Sequence, residues 1–445
     1  MICGFILLFA AGPVAAQDWF RTGTGLGVDK ARVAAADFAH RNEQVQPPST
    51  YHTPLSNTFN AVLWSDLEYS GILDMVSKSF YPLAKPTVPG ELNHAAWNAE
   101  PALAHFLALG NVANEGQDMI LEAWLFDVRN PEAPPVLGKR YRGAATQEEA
   151  RRLAHQFADE IVAALSGGLP GISSTQIAFV SNRTGHKEIW AMDFDGANQR
   201  ALTSLRTISL TPRWSPDASR IAFTCWTEVR TRGASPQVCM HSMDTGKPVA
   251  FARYRGTNAM PAWSADGSAI MFMSSMNGDP ELFVIPISGG TPKRLTFSPG
   301  ADTSPAWNPR TGQTVAFVSD RGGIPQLYMM NADGSNVHKL VLPDRMGYVI
   351  DPAWSPNGQL LAFAWRRPGG NYDIYVMDPA SGEIVELTRD AGRNERPSWA
   401  PDGRHIVFES TRSGSRQIWS MLADGTQARQ LTFEGHNESP NWSPR

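Results

Sequence analysis

The amino-acid sequence predicts an N-terminal α+β domain followed by an all-β six-bladed propeller. Two observations carry this prediction: a Pro-x-Trp motif recurs six times after residue 170, and the region before it shows helical periodicity instead. A chain of 445 residues is too long for one ordinary domain, and its 38 Gly and 33 Pro indicate many turns. We therefore assign a signal peptide, an α+β domain with a flexible N-terminal segment, a linker and a propeller to residues 1–16, 17–166, 167–171 and 172–445.

The propeller prediction rests on the spacing of the repeat. Consecutive repeat tryptophans are 49, 44, 47, 45 and 43 residues apart, a period typical of one four-stranded blade. These residues are Trp214, Trp263, Trp307, Trp354, Trp399 and Trp442. A turn such as Ser-Pro-Asp-Gly follows the tryptophan, and short apolar strands separated by tight turns follow that turn. We expect each indole to be buried between neighbouring blades.

The two ends of the repeat predict how the ring closes. An apolar strand begins near Ile177 without a Pro-x-Trp before it, and the last Pro-x-Trp, at Trp442, has no such strand after it. The simplest arrangement pairs the strand around Trp442 with the strand that begins at Ile177, which removes the open sheet edges. The sequence therefore predicts six blades closed by the C-terminal strand.

The region before the propeller contains two predicted helices. Apolar residues recur at helical spacing from Leu55 to Leu67, with Ser56 and Asn57 as candidate N-terminal caps. A capping box at Thr146 opens a second, amphipathic helix. Strands are predicted at residues 72–76, 119–128 and 136–141. The glycine-rich residues 167–171 form a hinge or linker.

Composition and the first residues restrict the partners and the compartment. The net charge of -4 and the lack of a basic block argue against nucleic acid as a partner. Residues 1–16 hold an apolar run followed by small residues, which is typical of a signal peptide and too short to span a bilayer; the alternative is a buried N-terminal strand. We therefore expect an exported chain with no transmembrane span after processing.

The cysteines leave two alternatives open. Cys3 is expected to be removed with the signal peptide, so Cys225 and Cys239 remain, and both fall in one predicted hairpin. An exported protein permits a disulfide between them. Two buried free thiols are the other interpretation.

Motifs of catalysis are not found in the sequence. Neither a Gly-x-Ser-x-Gly elbow nor the zinc motifs His-Glu-x-x-His and Cys-x-x-Cys occur, and the ten His are scattered. Residues 193–196 are a hairpin turn rather than a calcium loop, and residues 23–27 lack the strand and helix of a phosphate loop. We therefore predict no catalytic residue, no metal and no cofactor.

Two alternatives to a non-catalytic protein are considered. Carboxylates near the axial mouth could hold a cation in a propeller hydrolase or lyase; they are Asp302, Asp351, Glu395 and Glu438. The other alternative is an envelope propeller that binds glycans through exposed aromatic residues. It is weakened because most of the fourteen Trp are needed for packing of the repeats.

The whole chain resembles the TolB family. The resemblance rests on the order of its parts: a signal peptide, a small α+β domain containing the stretch from Asn60 to Gly71, a glycine-rich linker, and six blades with Pro-x-Trp-Ser-Pro-Asp-Gly turns. It implies a periplasmic adaptor of the Tol-Pal system that supports outer-membrane integrity, envelope constriction in cell division and import of macromolecules such as bacteriocins.

The resemblance also implies two binding sites. The peptidoglycan-associated lipoprotein Pal would bind at the propeller mouth, through loop residues that precede two of the Pro-x-Trp strands: Thr257, Asn258, Met260, Asp302, Thr303 and Ser304. Thr257 stands where the family leads us to expect a histidine. TolA would bind the N-terminal segment at Asp18, Trp19, Phe20, Arg21 and Leu26.

Overall fold

The computed structural model describes residues 30–42, 49–51, 53–229, 233–251, 253–340, 342 and 347–444. These residues form an α+β domain followed by a six-bladed propeller, so the predicted fold class is confirmed. Within the described ranges, no helix is both long and apolar enough to cross a membrane. The predicted signal peptide, residues 1–16, lies outside the described residues.

The α+β domain contains one seven-stranded sheet. Its strands are β1 (Ala31–Ala35), β2 (Ala39–Asn42), β3 (Ser49–Tyr51), β4 (Leu73–Met75), β5 (Phe106–Glu115), β6 (Asp118–Asp127) and β7 (Leu137–Ala144). Strand β5 pairs in parallel with β1 and β2 along one edge and antiparallel with β6 along the other. The helices are α1 (Pro54–Tyr69), α2 (His94–Asn98) and α3 (Gln147–Leu165), with 3-10 turns at Lys78–Phe80 and Pro89–Glu91.

The helix caps are partly those that the sequence predicts. Helix α1 is capped by Thr53 rather than by Ser56 or Asn57, because the Thr53 hydroxyl accepts the backbone N–H of Ser56 at 3.2 Å. Ser56 returns the bond, since its hydroxyl accepts the backbone N–H of Thr53 at 2.8 Å. The predicted cap of α3 is confirmed: the Thr146 hydroxyl accepts the backbone N–H of Glu149 at 3.2 Å.

The core of this domain lies on both faces of the sheet. Helices α1 and α3 pack side by side on one face, where Phe59 of α1 and Phe157 of α3 are fully buried. The segment between α1 and β5 covers the other face, where Trp97 is 1% exposed. Burial of apolar surface on both faces makes this a self-contained domain.

Each propeller blade is a four-stranded antiparallel sheet in which the Pro-x-Trp strand is innermost. The inner strands are β11 (Ser209–Trp214), β15 (Asn258–Trp263), β19 (Asp302–Trp307), β23 (Tyr348–Trp354), β27 (Asn394–Trp399) and β31 (Asn437–Trp442). The second strands are β8 (Gln176–Ser181), β12 (Arg220–Val229), β16 (Ala269–Ser274), β20 (Thr314–Ser319), β24 (Leu361–Arg366) and β28 (His405–Ser410).

Two further strands complete every blade. The third strands are β9 (Glu188–Asp193), β13 (Gly233–Ser242), β17 (Glu281–Pro286), β21 (Gln326–Asn331), β25 (Tyr372–Met377) and β29 (Gln417–Leu422). The outer strands are β10 (Arg200–Ala201), β14 (Lys247–Val249), β18 (Lys293–Arg294), β22 (His338–Lys339), β26 (Ile384–Glu386) and β30 (Arg429–Gln430). We number the blades from 1, which contains β8, to 6, which contains β27.

The ring closes as the sequence predicts. Strand β31 pairs antiparallel with β8 in blade 1, with Trp442 opposite Ile177 and Asn437 opposite Ser181. The inner strands contact one another in order, and β31 contacts β11. The first blade is therefore assembled from both ends of the propeller sequence, and no inner edge stays open among the described strands.

Apolar clusters join each pair of neighbouring blades. In the cluster between blades 2 and 3, Val238 of blade 2 packs with Trp263 and Phe272 of blade 3. The indole of Trp263 also donates to the Arg213 carbonyl of blade 2 at 3.0 Å. Trp354 and Trp399 donate to the preceding blade in the same way, at 3.1 Å. The predicted burial holds for four of the six indoles, because those of Trp307 and Trp354 are half-buried.

Every inner strand bends at the residue before its proline. This residue has a left-handed backbone, with φ between 49° and 56°, although it is never glycine. The six positions are Thr211, Met260, Ser304, Asp351, Arg396 and Ser439. The register with the second strand shifts at the same point, so each is a β-bulge that re-aims a side chain near the axis.

Buried polar contacts join the two domains. The Tyr69 hydroxyl, at the end of α1, lies 2.8 Å from the Ser420 hydroxyl of blade 6. The Tyr69 carbonyl lies 2.7 Å from Nε2 of His405, whose Nδ1 is 2.7 Å from Asp402. The carboxylate of Asp159 in α3 accepts the backbone N–H of Ser173 at 2.7 Å, just after the predicted linker. The linker is therefore fastened at its propeller end.

Charged groups also lie at this interface, some paired within the α+β domain and one pair formed between the two domains. Nδ1 of His155 lies 2.6 Å from Asp66, and burial raises the pKa of Asp66 to about 6. Arg151 donates to Asp195 of blade 1 at 2.6 Å. His155, Asp193 and Asp195 bring potential metal ligands within 4.8 Å of one another, but Asp66 and Arg151 already occupy two of them. The ion pair between Arg151 and Asp195 links the two domains.

Blade 2 contains a disulfide between Cys225 and Cys239, whose Cα atoms are 5.9 Å apart. The two residues lie on the neighbouring strands β12 and β13, as the predicted hairpin requires. Of the two alternatives that the sequence leaves open, the structure contains the bridge.

Candidate functional site

The axial channel has two different mouths. The upper mouth is the end at which the six inner strands begin, and the six bulge residues lie on this side. The lower mouth is the opposite end, formed by the repeat Trp residues and the turns that follow them. The turn at Asp402 contacts the α+β domain through His405, so that domain lies on the lower side. The upper mouth is thus the face that the α+β domain leaves open.

Three of the predicted Pal contacts lie where blade 3 enters the upper mouth. Thr257 and Met260 are half-buried, and Met260 occupies the bulge with φ 56°. Asn258 is different, because it is 1% exposed. Its amide donates to the Tyr254 carbonyl at 3.0 Å and its carbonyl accepts from the Ser274 hydroxyl at 2.6 Å. Asn258 therefore supports the loop and does not face solvent.

The other three predicted contacts lie at the start of blade 4. Thr303 and Ser304 are half-buried, and the Ser304 hydroxyl lies 3.5 Å from the sulfur of Met260. Asp302 is fully buried and accepts from Arg321 at 2.7 Å. Asn258 and Asp302 are therefore buried by internal hydrogen bonds, whereas the other four residues are half-buried. Pal binding by these six residues stays a prediction.

Asn258 belongs to a repeated connection between blades. Its amide donates at 3.2 Å to the side-chain carbonyl of Gln237, which lies on β13 of the preceding blade 2. Asn394 makes the same bond to Asp373 at 3.0 Å, and Asn437 to Gln417 at 2.7 Å. These buried amides fix the loops of the upper mouth to the preceding blade, so the mouth is a preorganised surface.

An ionic cluster occupies the part of the channel formed by blades 5, 6 and 1. Arg416 lies 2.9 Å from Glu438 and 3.4 Å from Glu409, and Arg396 lies 3.6 Å from Glu409. Lys187 of blade 1 pairs with Glu438 at 2.5 Å. In blades 2, 3 and 4 the bulge residues are Thr211, Met260 and Ser304. We call the wall of blades 5, 6 and 1 the charged side of the upper mouth, and the wall of blades 2, 3 and 4, whose bulge residues are uncharged, its uncharged side.

The pKa values in this cluster reflect burial and pairing. Burial raises the pKa of Glu409 and of Asp351. Burial also acts to raise the pKa of Glu438, but Lys187, Arg396 and Arg416 together outweigh it and the pKa is lowered. Burial acts to lower the pKa of Arg396, but Glu409 and Asp351 raise it. The cluster therefore depends on its arginines to keep buried carboxylates ionised.

The four carboxylates proposed for a channel cation all have cationic partners. Asp302 pairs with Arg321 at 2.7 Å, Glu395 with Arg393 at 2.5 Å, and Glu438 with Lys187 at 2.5 Å. Asp351 lies 4.0 Å from Arg396. A metal ion would have to displace these cations, so the structure gives no support to the hydrolase or lyase alternative.

Exposed aromatic residues at the upper mouth were not among the predicted contacts. Phe297 and Phe433 are 73% and 72% exposed in the loops that lead into β19 and β31. Each follows a buried threonine, Thr296 or Thr432, whose hydroxyl accepts a backbone N–H at 2.9 Å and so holds the loop. The repeated Leu-Thr-Phe sequence was the signal, because a phenylalanine directly after the anchored threonine must point away from the core.

The predicted TolA contacts cannot be placed in the structure. Asp18, Trp19, Phe20, Arg21 and Leu26 lie outside the described residues. The assignment of TolA binding to this segment stays a prediction.

Comparison with known proteins agrees with this architecture. The family model described as the TolB beta propeller domain matches residues 165–346 and 339–445. The chain is 32% identical to the Tol-Pal system protein TolB of Bordetella pertussis over 426 residues, covering 95% of this chain and 90% of that protein. It is 38% identical to a TolB homolog of Chlorobium chlorochromatii over 216 residues, which are 48% of this chain and 46% of that protein.

The crystal structure of TolB from Acinetobacter baumannii has the same fold. It superimposes with a TM-score of 0.77 at 25% identity, covering 94% of this chain and 97% of the other. The likeness therefore includes both domains and their order. TolB proteins are non-enzymatic components of the cell envelope, in agreement with the sequence-based prediction that this chain is not an enzyme. The repeat, the closed six-bladed ring, the preceding α+β domain and these similarities together establish that the chain belongs to the TolB family.

Proposed function

We propose that this chain is a periplasmic adaptor that binds Pal at the upper mouth of its propeller and TolA through its N-terminal segment. In this role it supports outer-membrane integrity, envelope constriction in division and import of macromolecules such as bacteriocins. The Bordetella relative is named a Tol-Pal system protein, which supports the assignment to that system. The observation that carries the proposal is an upper mouth that is open, preorganised and bordered by exposed aromatic residues.

The chemistry of the upper mouth suits a protein partner. Exposed aromatic side chains such as Phe297 are typical anchors of protein interfaces. Met260, Thr303 and Ser304 lie on the uncharged side, where a partner can pack without displacing an ion pair. The buried amide bonds beneath them hold the loops before binding, which lowers the entropic cost of association.

The charged side of the mouth adds selectivity. Its carboxylates and cations are paired with one another, so a partner gains little from a single opposite charge there. A partner with complementary charges of both signs is favoured over a uniformly charged one. We therefore expect Pal to cover both sides of the mouth, with its apolar contacts over blades 3 and 4.

Isothermal titration calorimetry with purified Pal tests the first part of the proposal. Phe297→Ser and Met260→Asp are expected to weaken Pal binding by about 1–3 kcal/mol each, as for anchors of an interface. Val337→Ser is the matched control, because Val337 is an exposed apolar residue of the same blade 4 near the opposite, lower face. Equal Pal affinity in all three variants and the unchanged chain would refute the upper mouth as the binding site.

The second part of the proposal concerns the N-terminal segment. The family resemblance implies that this segment adds as a strand to the edge of a partner sheet. Deletion of residues 18–26 is therefore expected to abolish TolA binding and to leave Pal binding intact. Unchanged TolA affinity in the deletion variant would overturn this part while leaving the assignment of Pal untouched.

A further inference from the structure

A separate cavity opens at the lower mouth, on the face away from the proposed Pal site. Its volume is about 380 Å³, within the usual range for small-molecule pockets. All six blades contribute to it through their Pro-x-Trp motifs and the turns that follow. The walls are therefore mostly proline rings, tryptophan rings and small side chains.

The size of the cavity comes from the residue between the proline and the tryptophan. In blades 3, 4 and 5 this residue is alanine: Ala262, Ala306 and Ala353. In blades 6 and 1 it is Ser398 and Asn441, which are used for contacts between inner strands, because Ser398 accepts the backbone N–H of Trp442 at 3.0 Å. At five of the six positions the side chain is either small or hydrogen-bonded to a neighbouring inner strand, so the centre of the ring stays open.

Blade 2 differs from the other five, because its residue at this position is Arg213. Among the described lining residues of the cavity, Arg213 alone carries a charge. Within the described part of the chain, its guanidinium makes one hydrogen bond, from Nη1 to the carbonyl of the adjacent Pro212 at 2.9 Å, and no ion pair. Asp351 acts on it electrostatically without an ion pair, and Asp351 itself lies 4.0 Å from Arg396.

A guanidinium in this position has unused donors. Arginine offers five N–H groups in a planar fork that matches a carboxylate with two parallel hydrogen bonds. An enclosed charge without a counter-ion is costly, and burial lowers the pKa of Arg213 accordingly. An anionic group in the cavity would relieve this cost, whereas a neutral or cationic group would not.

We propose that the lower-mouth cavity is a binding site for a small organic carboxylate that carries an aliphatic or aromatic group. Its carboxylate binds Arg213, and its aliphatic or aromatic group packs against the proline and tryptophan rings. The carboxylate belongs either to a free small molecule or to the C-terminal residue of a peptide, since both present the same chemistry. This cavity opens at the other end of the channel from the proposed Pal site.

Crystals soaked with 4-bromophenylacetate test the proposal directly. The anomalous signal of bromine is expected inside the lower-mouth cavity, with the carboxylate on Arg213. Bromine found only elsewhere, or no bromine at all, would exclude a free small molecule of this kind as the ligand.

Calorimetry in solution separates the charge from the apolar contribution. The unchanged chain is expected to bind 4-bromophenylacetate more tightly than the corresponding amide by about tenfold or more, the usual effect of a charge-assisted hydrogen bond. Arg213→Met should remove this difference. The matched control is Arg310→Met, since Arg310 is exposed on the turn after Trp307 and does not line the cavity. Equal affinities for acid and amide would contradict the role of Arg213.

A second variant and a second ligand complete the test. Ala306→Leu fills the cavity without changing its charge and should abolish binding. This variant tests the proposal even where Arg213→Met folds poorly. Acetyl-leucyl-phenylalanine with a free or an amidated C-terminus distinguishes the source of the carboxylate. Binding of the free-acid peptide alone indicates a peptide terminus, and binding of 4-bromophenylacetate alone indicates a small molecule. Binding of neither ligand would overturn the proposal.

Discussion

Replacement of Trp442 by alanine tests how the ring is closed. This indole is 4% exposed and packs in the core between blades 6 and 1 with Ile177 and Phe179. Its Nε1 donates to the Thr175 hydroxyl at 2.8 Å, and its backbone N–H donates to Ser398. Trp442→Ala therefore removes apolar contacts and a hydrogen bond at the junction that holds the two ends of the propeller together.

The expected cost follows from the burial of the side chain. Truncation of a buried tryptophan costs about 3–5 kcal/mol, because transfer free energy is lost and a cavity is left. For a domain of this size, that cost lowers Tm by roughly 6–10 °C. Trp307→Ala is the control, since Trp307 is half-buried and its Nε1 donates within its own turn, to Gly312 at 2.8 Å. It should cost clearly less.

Thermal unfolding followed by circular dichroism measures both variants against the unchanged chain. A loss below about 1 kcal/mol for Trp442→Ala, or an equal loss for the control, would show that the C-terminal strand contributes little to closure. The pairing of β31 with β8 would then be an incidental contact.

Three further predictions concern buried polar groups. Burial raises the pKa of Asp66 to about 6, so stability falls as pH rises from 3.8 to about 6. Burial acts to lower the pKa of His155 but the bond to Asp66 raises it, so the stability that protonated His155 contributes falls further as pH rises from 6.5 through its folded pKa. Denaturant titrations across pH should show this fall, and Asp66→Asn should remove it. Asn258→Ala should cost about 1–3 kcal/mol of stability in urea unfolding, by leaving buried partners unsatisfied. Arg396→Met should cost about 3–5 kcal/mol at neutral pH, because Asp351 loses its ion pair and Glu409 keeps Arg416 alone of its two arginines, with recovery in acid as these carboxyls are protonated.

The propeller could be predicted from the sequence because its signals are local. Each Pro-x-Trp motif lies next to the turn that it requires, and in all six blades the proline directly follows the bulge inside the inner strand. Ring closure could be predicted because the first apolar strand lacks a Pro-x-Trp motif before it and the last Pro-x-Trp motif lacks an apolar strand after it. The fold class needed no knowledge of distant contacts.

The α+β domain was predicted less completely because distant contacts determine it. Strand β5 is central to the sheet, yet Gly110 and Asn111 interrupt its apolar pattern. Gly110 has a packing reason that is invisible in sequence, because a Cβ atom there would lie 2.1 Å from the Phe38 ring. The cap of α1 was misplaced by three residues for a related reason: Ser56 takes part in the capping box, but as the partner of Thr53.

The site was predicted by position along the chain but not by exposure. Thr257 and Asn258 are neighbours, yet only Asn258 is buried, because its amide reaches Gln237 of the preceding blade at 3.2 Å. A sequence pattern predicts where the loop lies but cannot show which of its side chains are buried by hydrogen bonds to a neighbouring blade. The same limit applies to Asp302, whose partner Arg321 lies across the blade.

A photo-cross-linking experiment tests the central claim most directly. Benzoylphenylalanine is introduced at Thr303, on the upper mouth, or at Thr311, an exposed residue on the lower face of the same blade. Irradiation in envelope extract should attach Pal to the chain from position Thr303 and leave it unattached from Thr311. Attachment of Pal from Thr311, or from neither position, would contradict binding at the upper mouth.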